Sequence, residues 1–175
     1  MKNGDTISLS TRLTIEKQAA VTYFSEDTPM ETTEELNALL ASIEEEVSSE
    51  TPVYLHLPAV TYDGDIVFGN HVWGIYGSSD GDDVTTFTGT VSLRGLNGNY
   101  AEMSGIQFKG NSGIGVNAYC LTLLSKCSFD GWDTAAIANN EAWVNAMDCT
   151  FTNNKIALKF NSSMAYGTAV SYTHL

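Results

Sequence analysis

The sequence has few basic residues. Its 175 residues include 8 lysines and arginines but 21 aspartates and glutamates, which gives a formal net charge of −13. A surface with this charge repels the phosphate backbone of DNA and RNA. We therefore predict that nucleic acid is not a partner of this protein. The length is that of a single domain.

Long apolar runs are also missing. No stretch is long and apolar enough to cross a membrane, so we predict no membrane span. Residues 1–10 contain one lysine and lack the apolar core that a secretory signal needs. We therefore predict no signal peptide in this chain.

Cysteine is scarce, and the number of cysteines is odd: three. The sequence therefore offers no even disulfide framework. Cys127 and Cys149 each stand two residues before a phenylalanine, and we expect both to stack as small buried hydrophobic residues. A disulfide between these two is the alternative, and it would leave Cys120 unpaired.

What the sequence does contain is a repeat. The hexapeptide MSGIQF at residues 103–108 returns as LSKCSF at 124–129 and as AMDCTF at 146–151, a period of 21 or 22 residues. A period of this length indicates a solenoid, in which each unit buries its apolar face by stacking on the next unit. The regular leucine ladder of leucine-rich repeats is missing, so we do not predict that architecture.

Each repeat extends beyond its hexapeptide. After the phenylalanine comes a second apolar pair whose members alternate with small or polar residues, as in a strand with one buried face. These pairs are Ile114 with Val116, Ala135 with Ile137, and Ile156 with Leu158, the last with a one-residue slip. A third apolar stretch precedes the next hexapeptide: Leu121 with Leu123, then Trp143 with Val144. We predict two to three short strands per turn, with Trp143 at an interior position.

An amphipathic helix is predicted upstream, at about residues 32–47. Its apolar residues fall on one helical stripe, and Thr32 with Glu35 three residues later forms a capping box. Residues 51–68 alternate like a first coil, and residues 71–95 like the next one. Because an open stack exposes apolar surface, we expect the helix to cover the first coil as a cap.

These units resemble the coils of the right-handed parallel β-helix in the pectin-lyase-like superfamily. The resemblance rests on the pattern Cys-x-Phe, a turn, then Ala-Ile or Ile-Ala-Leu, with Asn and Asp at the corners, and it covers roughly residues 32–160. We therefore predict an all-β solenoid with an N-terminal capping helix. The resemblance implies a polysaccharide lyase or glycoside hydrolase that acts on acidic polysaccharides.

The two ends of the chain receive separate predictions. Residues 1–30 are predicted to be a strand-containing segment of undetermined packing, and residues 31–169 the helix with its coils. Residues 170–175, VSYTHL, match one translation frame of a transposase adapter used in sequencing libraries, so we interpret them as a cloning or assembly scar. On this interpretation the chain is a fragment without its later coils, and the uncapped last rung would favour self-association.

Catalysis in the pectin-lyase-like superfamily uses carboxylates that converge on one exposed sheet. Acids at equivalent positions of successive turns would lie about 4.8 Å apart. The positions after each phenylalanine hold Lys109, Asp130 and Thr152, and those before the cysteine hold Gly105, Lys126 and Asp148. No carboxylate ladder forms, so the catalytic residues stay unknown and we expect this chain to be inactive.

One tryptophan is a candidate carbohydrate contact. Trp132 lies in the corner FDGWDT between Asp130 and Asp133, which looks exposed. Sugar rings stack on the flat apolar faces of aromatic side chains. We take these three residues as a candidate carbohydrate site, and simple packing of the turn is the alternative for Trp132.

The loop SSDGDD is a candidate metal site. Asp80, Asp82 and Asp83 are the densest acidic group outside the helix, and oxygen ligands suit calcium. The loop lacks the ligand spacing of an EF-hand, so a solvated turn is the favoured alternative. We predict no cofactor, with calcium as the alternative.

Two functions agree with these observations. Few basic residues with abundant Asn, Ser, Thr and Gly are typical of extracellular bacterial solenoids, so we expect an extracellular or cell-surface location. The first function is that of an exported protein that binds or processes polysaccharide. The alternative is a surface adhesin or structural stalk without catalysis.

Overall fold

The computed structural model describes residues 19–95 and 100–170, with the backbone alone at 173–174. The chain folds into a parallel β-helix of about five turns, which confirms the predicted fold class. In chain order the elements are β1 (Val21–Phe24), α1 (Thr33–Glu46), β2 (Val53–His56), β3 (Thr61–Tyr62), β4 (Ile66–Phe68), β5 (Val72–Tyr76), β6 (Ser79–Asp80), β7 (Asp83–Val84), β8 (Thr86–Phe87), β9 (Val91–Leu93), β10 (Tyr100–Ser104), β11 (Gln107–Lys109), β12 (Ile114–Ala118), β13 (Leu121–Ser125), β14 (Ser128–Asp130), β15 (Thr134–Ala138), β16 (Trp143–Met147), β17 (Thr150–Thr152), β18 (Ile156–Phe160), β19 (Tyr166–Val170) and β20 (Thr173–His174).

The strands form three parallel sheets. Sheet A has the order β1-β2-β5-β10-β13-β16-β19, sheet B the order β3-β8-β11-β14-β17-β20, and sheet C the order β4-β9-β12-β15-β18. Successive strands visit the three sheets in turn, so that each passage through A, B and C makes one coil. Strands β6 and β7 form a separate antiparallel pair between β5 and β8.

A column of phenylalanines fills the interior behind sheet B. Phe87, Phe108, Phe129 and Phe151 pair in register from one coil to the next, and all four are fully buried. Their ring centroids are 5.8, 4.5 and 5.1 Å apart, and the rings lie within 23° of parallel. The hexapeptide repeat is therefore the signature of this column, as its period predicts.

The helix α1 packs against the first coil. Thr32 and Glu35 form the predicted capping box, and the apolar stripe of the helix is buried in the same core cluster as the coils. The hydroxyl of Tyr62 donates a hydrogen bond to the carbonyl of Met30, and the Asp63 amide donates one to Thr33 Oγ1 at 2.9 Å. Sheet A extends one strand beyond sheets B and C at this end of the stack. No helix among the described residues is long and apolar enough to cross a membrane.

The sequence alignment of the turns needs two corrections. Val116 pairs with Ala136, and Ala136 with Leu158, so the one-residue slip falls in the middle turn and not in the last. In β13 the alternation has the opposite phase: Thr122 is buried, while Leu121 is only partly buried. Thr122 can be buried because its hydroxyl donates to the Cys120 carbonyl at 3.2 Å, which satisfies the polar atom inside the core.

Trp143 is also placed differently from the prediction. It stands in register with Leu121 on the outer side of sheet A, and 37 % of its surface is exposed. The interior position of this strand is taken by Val144, which is buried. Successive side chains of a strand point to opposite faces of the sheet. An error of one residue in the predicted register therefore exchanges the inward and outward side chains.

The cysteines are buried as predicted. Cys127 and Cys149 are free thiols within the core, and so is Cys120. The Sγ atom of Cys127 donates to the Met103 carbonyl and that of Cys149 to the Leu124 carbonyl, each at 3.4 Å. Burial raises the pKa of the Cys127 thiol. Both residues therefore serve the structure as small core side chains.

Parts of the end segments lie outside the described residues. Within the predicted strand region upstream of the helix, β1 pairs in parallel with β2 and adds one strand to sheet A. Residues 1–18 of the predicted strand-containing segment lie outside the residues that the structure describes. Of the predicted scar, residue 170 ends β19, while the side chains of 171–175 lie outside the described part.

Candidate functional site: the outer face of sheet A

A row of large side chains runs along the outer face of sheet A. Tyr100, Leu121, Trp143 and Tyr166 are register partners on four successive strands. The exposed fractions of the three aromatic side chains are 37, 37 and 50 %. The rings of Trp143 and Tyr166 are in contact, with centroids 3.9 Å apart. We call these four residues the aromatic row.

A second outward row lies beside the aromatic row and ends in polar groups. Glu102, Leu123, Asn145 and Thr168 are register partners on the same four strands. The Asn145 side-chain oxygen accepts hydrogen bonds from both the amide and the hydroxyl of Thr168, each at 3.0 Å. Hydrogen-bonding side chains therefore stand next to aromatic ones along the stack.

Glu102 lies close to Tyr76 and Tyr100, and Tyr54 stacks on Tyr76. The Tyr76 hydroxyl donates a long hydrogen bond to Glu102 Oε2 at 3.4 Å. Burial and then the Glu102 carboxylate raise the pKa of Tyr76 to about 12. The pKa of Tyr100 is raised by burial, then by Glu102 and Tyr54. Glu102 thus contributes to the shifts of both Tyr76 and Tyr100, and Tyr54 is a lesser cause of each. We call Glu102 and these three tyrosines the tyrosine cluster.

Gly74 makes room for the tyrosine cluster. It is the register partner of both Tyr54 and Glu102. A Cβ atom at this position would lie 2.5 Å from Cδ1 of Tyr54 and 2.8 Å from Cε2 of Tyr76, closer than real Cβ contacts allow. The two tyrosine rings can therefore approach each other over the glycine, with centroids 6.5 Å apart and planes 16° from parallel.

The charge on this face is sparse. Among the described residues that point outward from sheet A, Glu102 alone carries a formal charge at neutral pH. At the other edge of the sheet the ring of Phe24 stacks on that of His56, with the two ring centroids 4.6 Å apart. The ring centroid of His56 lies 5.0 Å from that of Tyr76. The outer face of sheet A is therefore aromatic and nearly uncharged, in a protein whose net charge is −13.

The predicted exposure of Trp132 is wrong. Only 3 % of its surface is exposed, and its Nε1 donates to the Phe108 carbonyl at 3.2 Å. The indole lies against Gly110 and Gly115, where a Cβ would come within 2.4 and 3.2 Å of its ring atoms. Because glycine has no side chain, Gly110 and Gly115 leave a slot in the preceding coil, and the indole fills it. A buried indole has no free face on which a sugar ring could stack.

The two aspartates beside Trp132 bind other parts of the corner. Asp130 Oδ1 accepts from the Asn153 side chain at 2.7 Å. Asp133 pairs with Lys155 and accepts from the Gly113 amide at 2.9 Å. Lys155 and then the Gly113 amide lower the pKa of Asp133. These carboxylates hold neighbouring coils together at the corner between sheets B and C.

The acidic loop does not gather its carboxylates. Asp80 and Asp83 are opposite partners in the β6–β7 pair, with Asp82 in the turn between them. Within residues 19–95 and 100–170 no three His, Cys, Asp or Glu side chains form a group that could hold a metal ion. Calcium binding at this loop stays a prediction without a structural group to support it.

The alignment that ruled out a carboxylate ladder is confirmed where the register tests it. Lys109 pairs with Asp130, and Asp130 with Thr152, so this column holds one acid between a lysine and a threonine. The corner positions Gly105, Lys126 and Asp148 share positive φ angles of 68, 53 and 52°. A common backbone requirement therefore explains why these corner positions repeat.

Sequence reasoning missed the aromatic row, although a signal for it exists. Its members are spaced by 21, 22 and 23 residues, close to the spacing of the buried phenylalanines. Only the phase within each strand separates the two sets, and the apolar character of Leu121 and Leu123 concealed that phase.

Comparisons with protein-family models, curated protein sequences and solved structures found no match to this chain.

Proposed function

We propose that this protein is a β-helix module that binds polysaccharide along the outer face of sheet A. The observation that carries the proposal is the aromatic row, in which three of four successive strands of one sheet carry an exposed ring and the fourth carries Leu121. Parallel strands are about 4.8 Å apart, which is comparable with the length of one pyranose unit. A sugar chain that follows the stack would therefore meet side chains of the row repeatedly.

The chemistry of the face supports this proposal. Aromatic faces offer flat apolar contact for the CH edges of sugar rings, while Asn145, Thr168 and Glu102 provide hydrogen-bonding groups for hydroxyls. Ligand sites commonly combine apolar contact with a few polar groups that fix orientation. In this proposal the protein meets its ligand outside the cell or at the cell surface, and the face acts in binding.

A structural role is the second candidate, and the same exposed face favours it. Contiguous exposed apolar surface also occurs at protein interfaces. An adhesin or stalk would use this face to contact another protein or a second copy of the chain. The two candidates differ in what covers Trp143: a sugar in the first and a protein in the second.

The test compares two exposed aromatic residues. Trp143→Ala removes the centre of the aromatic row, while Tyr119→Ala removes a side chain that is 43 % exposed but lies outside sheet A. Binding to a panel of glucan, chitin-derived and galacturonan oligosaccharides is measured by calorimetry. One lost aromatic contact should weaken binding about two- to tenfold, and Tyr119→Ala should leave the affinity unchanged.

Two results would overturn the proposal. In the first, no oligosaccharide in the panel binds, or both variants weaken binding equally. In the second, sedimentation velocity shows an oligomer that Trp143→Ala converts to a monomer, which would assign the face to a protein interface. Circular dichroism of both variants confirms that the fold is retained.

A further inference from the structure

We propose that the binding face selects sugars that carry a protonated amine, and that the tyrosine cluster forms the subsite for that amine. The inference rests on the proposed function, because it specifies the ligand of the same face. Its occupant is an amino-sugar polymer with free amines, such as an oligomer of glucosamine.

The geometry of the tyrosine cluster carries this inference. Glu102 is partly buried and stands beside Tyr100, which is the first member of the aromatic row on the same strand. Tyr76 on the preceding strand donates to the carboxylate, so the side chains of Tyr76 and Tyr100 flank Glu102. Tyr54 stacks on Tyr76 over Gly74 and extends this aromatic surface. A cation near such rings gains from their negative faces, and it also forms a charge-assisted hydrogen bond with the carboxylate.

The electrostatic setting leaves this carboxylate available. Glu102 forms no ion pair with any described residue, in contrast to Asp133, which Lys155 already neutralises. The described outward face of sheet A offers no lysine or arginine that could compete with a cationic ligand. The Tyr76 hydroxyl donates to Glu102 and so orients the carboxylate without cancelling its charge.

The same setting disfavours uronic acids. A galacturonate chain would bring a carboxylate to every sugar, next to Glu102 and to a protein of net charge −13. Like charges at short distance repel each other, and the described outward face of sheet A has no basic residue to compensate. The ligand class inferred here therefore differs from the acidic polysaccharides that the pectin-lyase-like resemblance implies.

The experiment compares three hexamers of similar length: glucosamine, N-acetylglucosamine and galacturonate. Affinity is measured by calorimetry at moderate salt, with and without calcium, at a pH where the sugar amine is protonated. Glu102→Gln removes the charge and keeps the shape, and Glu45→Gln removes an exposed charge on helix α1 as the matched control. Moderate salt and this control separate site binding from attraction to the whole negative protein.

We expect the glucosamine hexamer to bind about tenfold more tightly than its acetylated counterpart, through one partly exposed charge-assisted contact. Glu102→Gln should abolish this preference, and Glu45→Gln should retain it. Equal binding of both hexamers, with a loss in Trp143→Ala but not in Glu102→Gln, would overturn the amine subsite and leave the proposed function intact. Tighter binding of galacturonate would also overturn the inference, and so would binding of a glucan with no binding of any hexamer. If neither the hexamers nor a glucan binds, the proposed function itself is overturned.

Discussion

Replacing Trp132 with alanine should strongly destabilise the β-helix. The indole is buried to 97 %, since 3 % of its surface is exposed, and it fills the slot above Gly110 and Gly115. Removal of a buried tryptophan side chain costs about 3–5 kcal/mol, because the packed contacts are lost and a cavity stays behind. The Phe108 carbonyl also loses the hydrogen bond from Nε1. Since whole domains are stable by about 5–15 kcal/mol, the variant should be close to unfolding.

The milder variant Trp132→Phe keeps an aromatic ring in the slot and removes the Nε1 donor. It should cost about 1–3 kcal/mol, from the lost Nε1 hydrogen bond and partly lost packing. Equilibrium urea unfolding followed by circular dichroism measures both variants, with Tyr119→Ala as the exposed aromatic control. Coils of a solenoid contact only their neighbours, so the slope of the transition must be compared together with its midpoint.

The result that would refute this reasoning is a Trp132→Ala protein within about 0.5 kcal/mol of the wild type, the range typical of surface substitutions. That outcome would indicate that Trp132 lies at the surface, as predicted from the sequence. If Trp132→Ala loses much stability and Trp132→Phe binds sugar as the wild type does, the role of Trp132 is to pack the corner and not to bind sugar.

Two further predictions concern the corners and the cap. Gly105→Ala should destabilise the protein by about 1 kcal/mol, because a φ of 68° penalises a side chain even though the new Cβ would have room at 3.5 Å from the Gly77 carbonyl. Lys126→Gly at the equivalent corner should stabilise it by about 0.5 kcal/mol. Urea unfolding measures both variants, and changes of the same sign would contradict this reasoning. Burial, then nearby glutamates, raise the pKa of Tyr62 above its ordinary value, so its contribution to stability is complete below pH 10 and declines above it. Tyr62→Phe should cost about 1–2 kcal/mol at neutral pH, because the Met30 carbonyl loses its donor, and should lose less stability than the wild type as the pH rises above 10; parallel curves of urea midpoint against pH would refute the assignment.

The interior of the β-helix could be predicted because it obeys local rules. Phe108, Phe129 and Phe151 recur because a buried position in one coil faces the same position in the next, and a matching side chain fills that space best. The helix start is equally local, since Thr32 and Glu35 satisfy backbone groups within four residues. Both features can be seen without any knowledge of distant contacts.

The corner of Trp132 could not be predicted in the same way. Its burial depends on Gly110 and Gly115 in the preceding coil, 22 and 17 residues upstream. Only the three-dimensional register brings these glycines under the indole. The flanking aspartates made the corner look solvated, yet Asp133 there accepts from the Gly113 amide in the preceding coil.

The outer face of sheet A shows why periodicity alone does not separate scaffold from site in a solenoid. Every position in a coil has a neighbour in the next coil, so outward rows recur with the same period as inward ones. What separates inward from outward rows is the direction in which their side chains point. In β13 leucines point both inward and outward, so the alternation that would reveal the direction is lost.

An inward row is explained by the burial of its apolar side chains. An outward aromatic row gains little from burial and exposes apolar surface to water, so its explanation lies in what it contacts. Glu102 narrows that explanation, because a lone carboxylate among tyrosines favours a cationic ligand over an anionic one.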